Sequence, residues 1–363
     1  MRPNQRLLAI GLLVCLPAWG AQIPATTHAA PKTTNSGQAF ITESYRTTID
    51  FQADGRSTTK TTARVRVLSA AGVQQLGLLE FPYSAANSTL KIDYVRVEKP
   101  DGTVIETPPG SIQDMPAEIT RVAPMYSDFR QRHVPVKGLS TGDVLEYQTE
   151  AALAHPLIQG EFWFEYTFAT NAIVRDEELE ASFPKDKYVR VKSPEVKPVV
   201  TQRGDRTTYD WKHSNATVET SADQSNTAQA NPSVEITTFR NWQEVGRWWG
   251  ALESEAAQPT PEIRAKAAEL TVAVKTGDQK VSAIYHYVST QFRYVSISFG
   301  IGRYKPHSAG EVLSNLYGDC KDKHVLLASL LDAAGIETYP ALINSLRKID
   351  PDVPSPAQFN HVI

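Results

Sequence analysis

The apolar residues of this chain change period once, and that change divides it into two kinds of structure. Before the change, Tyr45, Thr47, Ile49 and Phe51 alternate as in a half-buried strand. The pair Asp54-Gly55 then offers a hairpin turn, and Ala63, Val65 and Val67 answer with the same alternation. A second hairpin is written in residues 92–105, where Pro100-Asp101-Gly102 separates Ile92, Val95 and Val97 from Val104 and Ile105. Short apolar runs recur at 134–136, 144–149, 161–168, 177–183, 188–191 and 207–211. Many short strands with turns between them predict an antiparallel, sandwich-like all-β domain over residues 40–212.

Residues 213–233 lose hydrophobic periodicity and gain Ser, Thr, Asn and Ala, the composition of a linker. Beyond it, residues 234–363 follow a helical period. Trp242, Val245, Trp248 and Trp249 fit a short amphipathic helix, and Ile263, Ala267, Leu270 and Val274 fit a second. Val281, Ile284, Tyr285 and Val288 fit a third, with Asp278 as its expected N-cap. Residues 292–297 read as extended. A further helix starts at Cys320, runs through Leu326, Leu327, Leu330 and Leu331, and stops before Gly335; residues 338–343 read as a strand beside it. No internal repeat is present.

At the N-terminus, Arg2 and Arg6 precede the apolar run 7–17, and Ala18-Trp19-Gly20 offers a small-x-small cleavage site. Residues 1–20 therefore read as a secretion signal, and 21–39 as a disordered, proline-containing lead-in. The run is too short to span a bilayer comfortably. An exported protein of the periplasm or cell envelope is expected, with no stable membrane span after signal cleavage. The rival is an uncleaved N-terminal anchor. A net charge of −3 over 363 residues gives no reason to expect nucleic acid as a partner.

Of the two cysteines, Cys15 lies inside the signal, so Cys320 is the lone thiol expected in the processed chain. A thiol at a helix start sits among unpaired backbone N–H groups, which favour its thiolate. His361, distant in sequence and on an expected strand, can meet it in space as a thiolate–imidazolium pair. In that arrangement His361 takes the thiol proton, the thiolate attacks an amide carbonyl, and the imidazolium returns the proton to the leaving amine. The backbone N–H of Cys320 is placed to help hold the developing oxyanion. The competing reading makes Cys320 a small core residue.

The segment Tyr317-Gly318-Asp319-Cys320-Lys321-Asp322-Lys323, with the apolar helix that follows, resembles the nucleophile helix of the bacterial transglutaminase-like superfamily. Pro306-His307-Ser308-Ala309-Gly310-Glu311 before it and Phe359-Asn360-His361-Val362-Ile363 after it are similar to the same group. The chain further resembles exported members that carry an N-terminal DUF3857 domain. The resemblance covers about residues 40–363 and is loose across the β domain. It implies a papain-like α+β fold for residues 234–363, a Cys-His-Asp triad with Cys320 as nucleophile and His361 as base, and no cofactor. Its acid follows the histidine on the next strand, and no carboxylate lies after His361 here, so the sequence reads as a partial one, truncated after the histidine strand.

Other residues carry weaker signals. His324, four residues beyond Cys320 on one helix face, reads as a surface or core-edge residue. Asp319 and Asp322 read as helix caps, and a metal site built from them with Glu311 lacks a spaced oxygen-rich loop. Tyr304 and Tyr317, with Arg303 and Lys305, are placed to line a cleft or to pack. Gly300-Ile301-Gly302 reads as a turn, the three tryptophans 242, 248 and 249 as an interface helix, and His286 as a partly buried packing residue. Asn87 and Asn215 open formal glycosylation sequons of little weight. The expected function is thioester acyl transfer on amide bonds of a protein or peptide in the envelope. The outcome is crosslinking, deamidation or hydrolysis (proteolysis or amidase action). The alternatives are a non-catalytic module binding peptide or glycan, and a β domain that alone serves as a docking platform. Oligomeric state is not legible.

Overall fold

The computed structural model describes residues 37–126, 128–218, 232–295 and 303–363. The residues expected to form the signal, most of the expected lead-in, Cys15, much of the expected linker and Gly300-Ile301-Gly302 lie outside the described residues. Both expected hairpins form. Strands β1 (Phe40–Phe51) and β2 (Ser57–Val67) pair in antiparallel register around Gly55, whose φ of +90° is the left-handed conformation the turn needs. Helix α1 (Ala70–Leu76) leads to β3 (Leu78–Ser84), and β4 (Ser88–Glu98) and β5 (Val104–Glu106) close around Gly102. The domain continues through β6 (Gln113–Pro116), β7 (Phe129–Pro135), β8 (Val144–Leu153), β9 (Trp163–Tyr166) and β10 (Val174–Pro184). It ends with β11 (Arg190–Lys192), β12 (Val199–Arg203) and β13 (Arg206–Asn215).

These strands build a sandwich of unequal halves. One eight-stranded sheet has the order β12-β13-β10-β1-β2-β8-β4-β5 and is antiparallel except for the parallel β1–β10 pair. Two small sheets cover its inner face. The sheet β3-β7-β6 packs across a core of Leu79, Phe81, Val134, Val65 and Tyr147. The other is β11-β14-β9, where β14 is Val234–Thr237, and it packs across Phe164, Ile236, Leu179 and Trp211. Strand alternation explains the split between faces: residues two apart point the same way, so Ile49 and Phe51 go inward while Arg46, Thr48 and Asp50 remain on the outer face.

Strand β14 changes the domain division. Residues 234–237 fall on the far side of the linker, yet they hydrogen-bond to β9 and β11 and complete the β domain's small sheet. The local sequence could not announce this, because four residues in a strand look alike whichever sheet they join.

The helical part comprises α2 (Trp242–Ala256), α3 (Pro261–Thr271), α4 (Gly277–Gln291), α5 (Ala309–Asn315) and α6 (Cys320–Ala333). Their common core holds Ile263, Ile284, Val288, Val312, Val325, Leu326 and Leu330. The N-cap of α4 is Thr276 in a capping box with Gln279, in place of the expected Asp278. Helix α6 stops at Ala334, with Gly335 at φ +79° beyond it. Two short pairings frame α6: β15 (Arg293–Tyr294) runs parallel to β16 (Tyr317–Gly318), and β17 (Leu342–Ile343) runs antiparallel to β18 (His361–Val362). The extended reading of 338–343 thus narrows to two residues. His286 is exposed, so its expected packing role is corrected.

Candidate active site

Cys320 occupies the first position of α6, directly after the N-cap Asp319. Asp319 accepts hydrogen bonds from the backbone N–H of Lys321 (3.1 Å) and Asp322 (3.2 Å), and Asp322 reaches back to the Asp319 N–H at 3.3 Å. This is a complete capping box, which orders the first turn and fixes where the thiol sits. Gly318 is needed by close approach: a Cβ there would lie 2.6 Å from the Asp322 Cβ.

The strand that carries His361 lies against this turn. Val362 is buried in one cluster with Trp249 and Tyr304, and Cys320, Leu342, Leu157, Trp163 and Trp248 pack around it. The Val362 backbone N–H reaches the Cys320 sulfur, and together with the Lys321 charge and N–H it favours the thiolate. Burial and the neighbouring Asp319 carboxylate act more strongly in the other direction and raise the thiol pKa. Burial, with the Asp319 carboxylate beside it, thus outweighs the thiolate preference expected of a helix start. Structure thus brings Cys320 and the His361 backbone together. Among the described residues no hydrogen bond joins the thiol to the imidazole, and the ring is half-buried.

Beneath the thiol lies a polar network that the sequence did not disclose. Asp322 is fully buried. Its Oδ1 accepts from the His307 backbone N–H at 2.9 Å and lies 3.1 Å from His307 Nδ1; its Oδ2 accepts from the Tyr126 hydroxyl at 2.7 Å. His307 Nε2 faces the Met125 carbonyl oxygen at 3.2 Å, so both ring nitrogens meet acceptors, the arrangement of an imidazolium. Burial works against that charge, but the hydrogen bond and charge of Asp322 outweigh it and raise the His307 pKa. Burial likewise pushes the Asp322 carboxyl up, and the His307 hydrogen bond and the Lys321 charge overcome it, holding the group ionised. Lys321, also buried, pairs with Asp319. Lys321 from the first turn and His307 from the segment ahead of α5 thus face the two carboxylates of the capping box. Asp319 and Asp322 are caps, as expected, and Asp322 is also the hub of this network. His307 could have been singled out only from its place in the motif.

Aromatic rings close the other side. Trp163 of β9 donates from Nε1 to the Tyr304 hydroxyl at 3.0 Å, with ring centroids 5.4 Å apart and nearly perpendicular. Trp248 packs on both Trp163 and Tyr304, and Trp242 donates to the Pro351 carbonyl at 2.9 Å. Helix α2 is therefore an interface helix between the β domain and the thiol-bearing part. His324 points from α6 to α2, with Nε2 3.3 Å from Glu253 Oε1, at the core edge. Tyr317 directs its hydroxyl to the Met125 N–H at 2.9 Å, so it packs against the β domain.

A strap joins β17 to β18. It is clasped to the small sheet of the β domain by buried Arg347, which pairs with Glu165 and lies 4.0 Å from Glu235, and by Thr237 donating to the Pro354 carbonyl at 2.7 Å. Burial, then the Glu165 charge, raise the Glu235 pKa to about 7, with Arg347 opposing.

Comparisons with known proteins bear on the fold and on the families of its two parts. Residues 53–219 match the DUF3857 family, described as a domain of unknown function with solved structure, and residues 264–342 match the transglutaminase-like superfamily. The crystal structure of a candidate protease from Parabacteroides distasonis superposes with a TM-score of 0.76 at 18% identity. That match covers 89% of this chain and 64% of the other, so this chain spans a little under two thirds of that protein. A zinc metallopeptidase of the M1 type from Deinococcus radiodurans also matches, at 7% identity over 55% of this chain and 42% of the other. Its TM-score of 0.29 carries no argument. No curated protein matches the sequence.

Proposed function

We propose a function from one premise: residues 53–219 belong to the DUF3857 family and residues 264–342 to the transglutaminase-like superfamily. The reaction is acyl transfer at an amide carbonyl, with Cys320 as nucleophile and His361 as base. The supporting observation is the contact of the Val362 backbone N–H with the Cys320 sulfur, which sets the histidine strand beside the first turn of α6. The raised thiol pKa favours a mechanism in which a base must act, because little thiolate is present unaided.

The imidazole of His361 accepts the thiol proton as sulfur attacks the carbonyl carbon. The tetrahedral adduct places its oxyanion near the Cys320 backbone N–H, since those of Lys321 and Asp322 are taken by the Asp319 cap. Collapse breaks the C–N bond, the imidazolium protonates the departing amine, and a thioester remains. Water or a second amine then attacks the thioester, giving hydrolysis or transfer. The substrate is a protein or peptide of the cell envelope; this extension rests on the export signal read in residues 1–20.

The test is acyl trapping. Incubation with p-nitrophenyl acetate is expected to release a burst of nitrophenol and add an acetyl group to the peptide bearing Cys320. Added primary amine competes with water for its release. A burst unchanged in Cys320→Ser would sink the reading.

A further inference from the structure

We propose that the β domain is an intramolecular positioning element for the Cys320 helix, acting through the hydroxyl of Tyr126 and the carbonyl of Met125. The inference rests on Cys320 as the reacting group and gives the domain of unknown function a task.

The segment 124–126 is a single helical turn of the β domain between β6 and β7. It meets the Cys320 turn with hydrogen bonds as well as apolar contact. The Tyr126 hydroxyl donates to Asp322 Oδ2 at 2.7 Å and accepts from the Asp319 N–H at 3.0 Å. The Met125 carbonyl takes His307 Nε2 at 3.2 Å. Tyr126, Ala123, Tyr317 and Val295 form the apolar surround, and Arg293 donates to the Val122 carbonyl at 2.6 Å.

Docking alone would need only the ring of Tyr126, which phenylalanine supplies equally. The hydroxyl does something the ring cannot: it hydrogen-bonds a fully buried carboxylate at the third position of the nucleophile helix. The Met125 carbonyl lets His307 keep its second proton, so the cation that offsets Asp322 persists. Both contributions reduce the negative potential felt at the helix start. The groups involved are Asp319, Asp322, Lys321 and His307 near the turn, Glu311 of α5 whose charge meets both His307 and Asp322, Tyr126 and Tyr317 across the interface, Tyr304 from the aromatic side, His324 with Glu253 one turn on, and His361 from β18. Of these, only Tyr126 is brought by the β domain to the carboxylates directly. Without its donor, the fully buried Asp322 keeps a less compensated charge, and that charge opposes thiolate formation.

The experiment is iodoacetamide alkylation of the full chain across pH, read on the peptide that carries Cys320. Tyr126→Phe is expected to raise the midpoint by about one unit, which slows alkylation about tenfold at a fixed pH below it. Tyr317→Phe removes a different hydrogen bond across the same interface and leaves both carboxylates untouched, so its midpoint stays with the wild type. If Tyr126→Phe fails to fold, 3,5-difluorotyrosine at position 126 keeps the ring and strengthens the donor, and the midpoint is expected to fall. A Tyr126→Phe profile that overlays the wild type, equal shifts in the two phenylalanine variants, or no response to the fluorinated ring would each overturn the proposal. Failure of acyl trapping at Cys320 would remove the proposed reaction while leaving this titration readable.

Discussion

Asp322 and His307 form a buried pair, with Oδ1 3.1 Å from Nδ1, directly under the turn that carries Cys320. Two flanking helices meet there, α5 through the residue two before it and α6 through its third position. Breaking such a pair by removing one partner leaves an uncompensated buried charge, whose cost is on the order of 3–5 kcal/mol. Asp322→Ala is expected to show a loss of that size in denaturant unfolding, and His307→Gln a smaller one.

The pH dependence of this pair follows from the directions of its two shifts. The His307 pKa is raised, so its contribution is full below the ordinary histidine value and is lost as pH rises through the folded value. The Asp322 pKa is depressed, so its contribution is present above the ordinary carboxylate value and is lost as pH falls through the folded value. Stability relative to Asp322→Asn should therefore be greatest in mildly acidic solution and narrow on both sides. A difference that stays constant from pH 4 to pH 9 would contradict the pairing.

Gly318→Ala places a methyl group 2.6 Å from the Asp322 Cβ. Neither backbone can yield without moving β16 or the first turn of α6. The expected cost is about 1–3 kcal/mol, from the overpacking range. Thermal unfolding should register it, and a histidine proton resonance of His307 should shift because its partner moves.

Glu235 carries a pKa raised from 4.5 to about 7, which means the folded state prefers it protonated. Its penalty is absent below the unfolded value, grows as pH rises from 4.5 to about 7, and is constant above that. Glu235→Gln is therefore expected to match the wild type near pH 4.5 and to exceed it by about 3 kcal/mol near pH 8. Parallel melting curves for the two proteins across that range would refute the assignment.

Trp163 contributes a hydrogen bond to Tyr304 and ring contacts to Trp248, Tyr304 and Phe239. Trp163→Phe removes the donor and should cost about 1 kcal/mol. Trp163→Ala also empties the interface and should cost about 3 kcal/mol. The second variant is further expected to label Cys320 faster with a bulky maleimide, since part of its cover is gone.

Much of this protein was legible residue by residue. The Asp54-Gly55 and Pro100-Asp101-Gly102 turns specified their hairpins, because a left-handed glycine leaves the chain few alternatives. Leu326, Leu327, Leu330 and Leu331 specified α6, and the Asp319-Asp322 spacing specified its cap. Strand β14 was not legible, since its partners lie some 70 residues back in β9 and some 45 back in β11, and nothing in residues 234–237 names them. The proton affinity of the thiol was not legible either. A helix start favours thiolate in isolation, but burial of the thiol and the Asp319 carboxylate that caps this helix outweigh the effect.

The sequence by itself determined the local choices: where strands turn, where helices begin, and that Cys320 opens α6 ahead of a histidine strand. Tertiary structure decided the electrostatics. Tyr126 reaches Asp322 across 196 residues, and His307 acquires its charge only between Asp322 and the Met125 carbonyl. Periodicity and capping depend on neighbours within a few residues, so one sequence carries them openly. Burial and charge balance depend on which distant groups exclude water together, and only the folded chain brings those groups into contact.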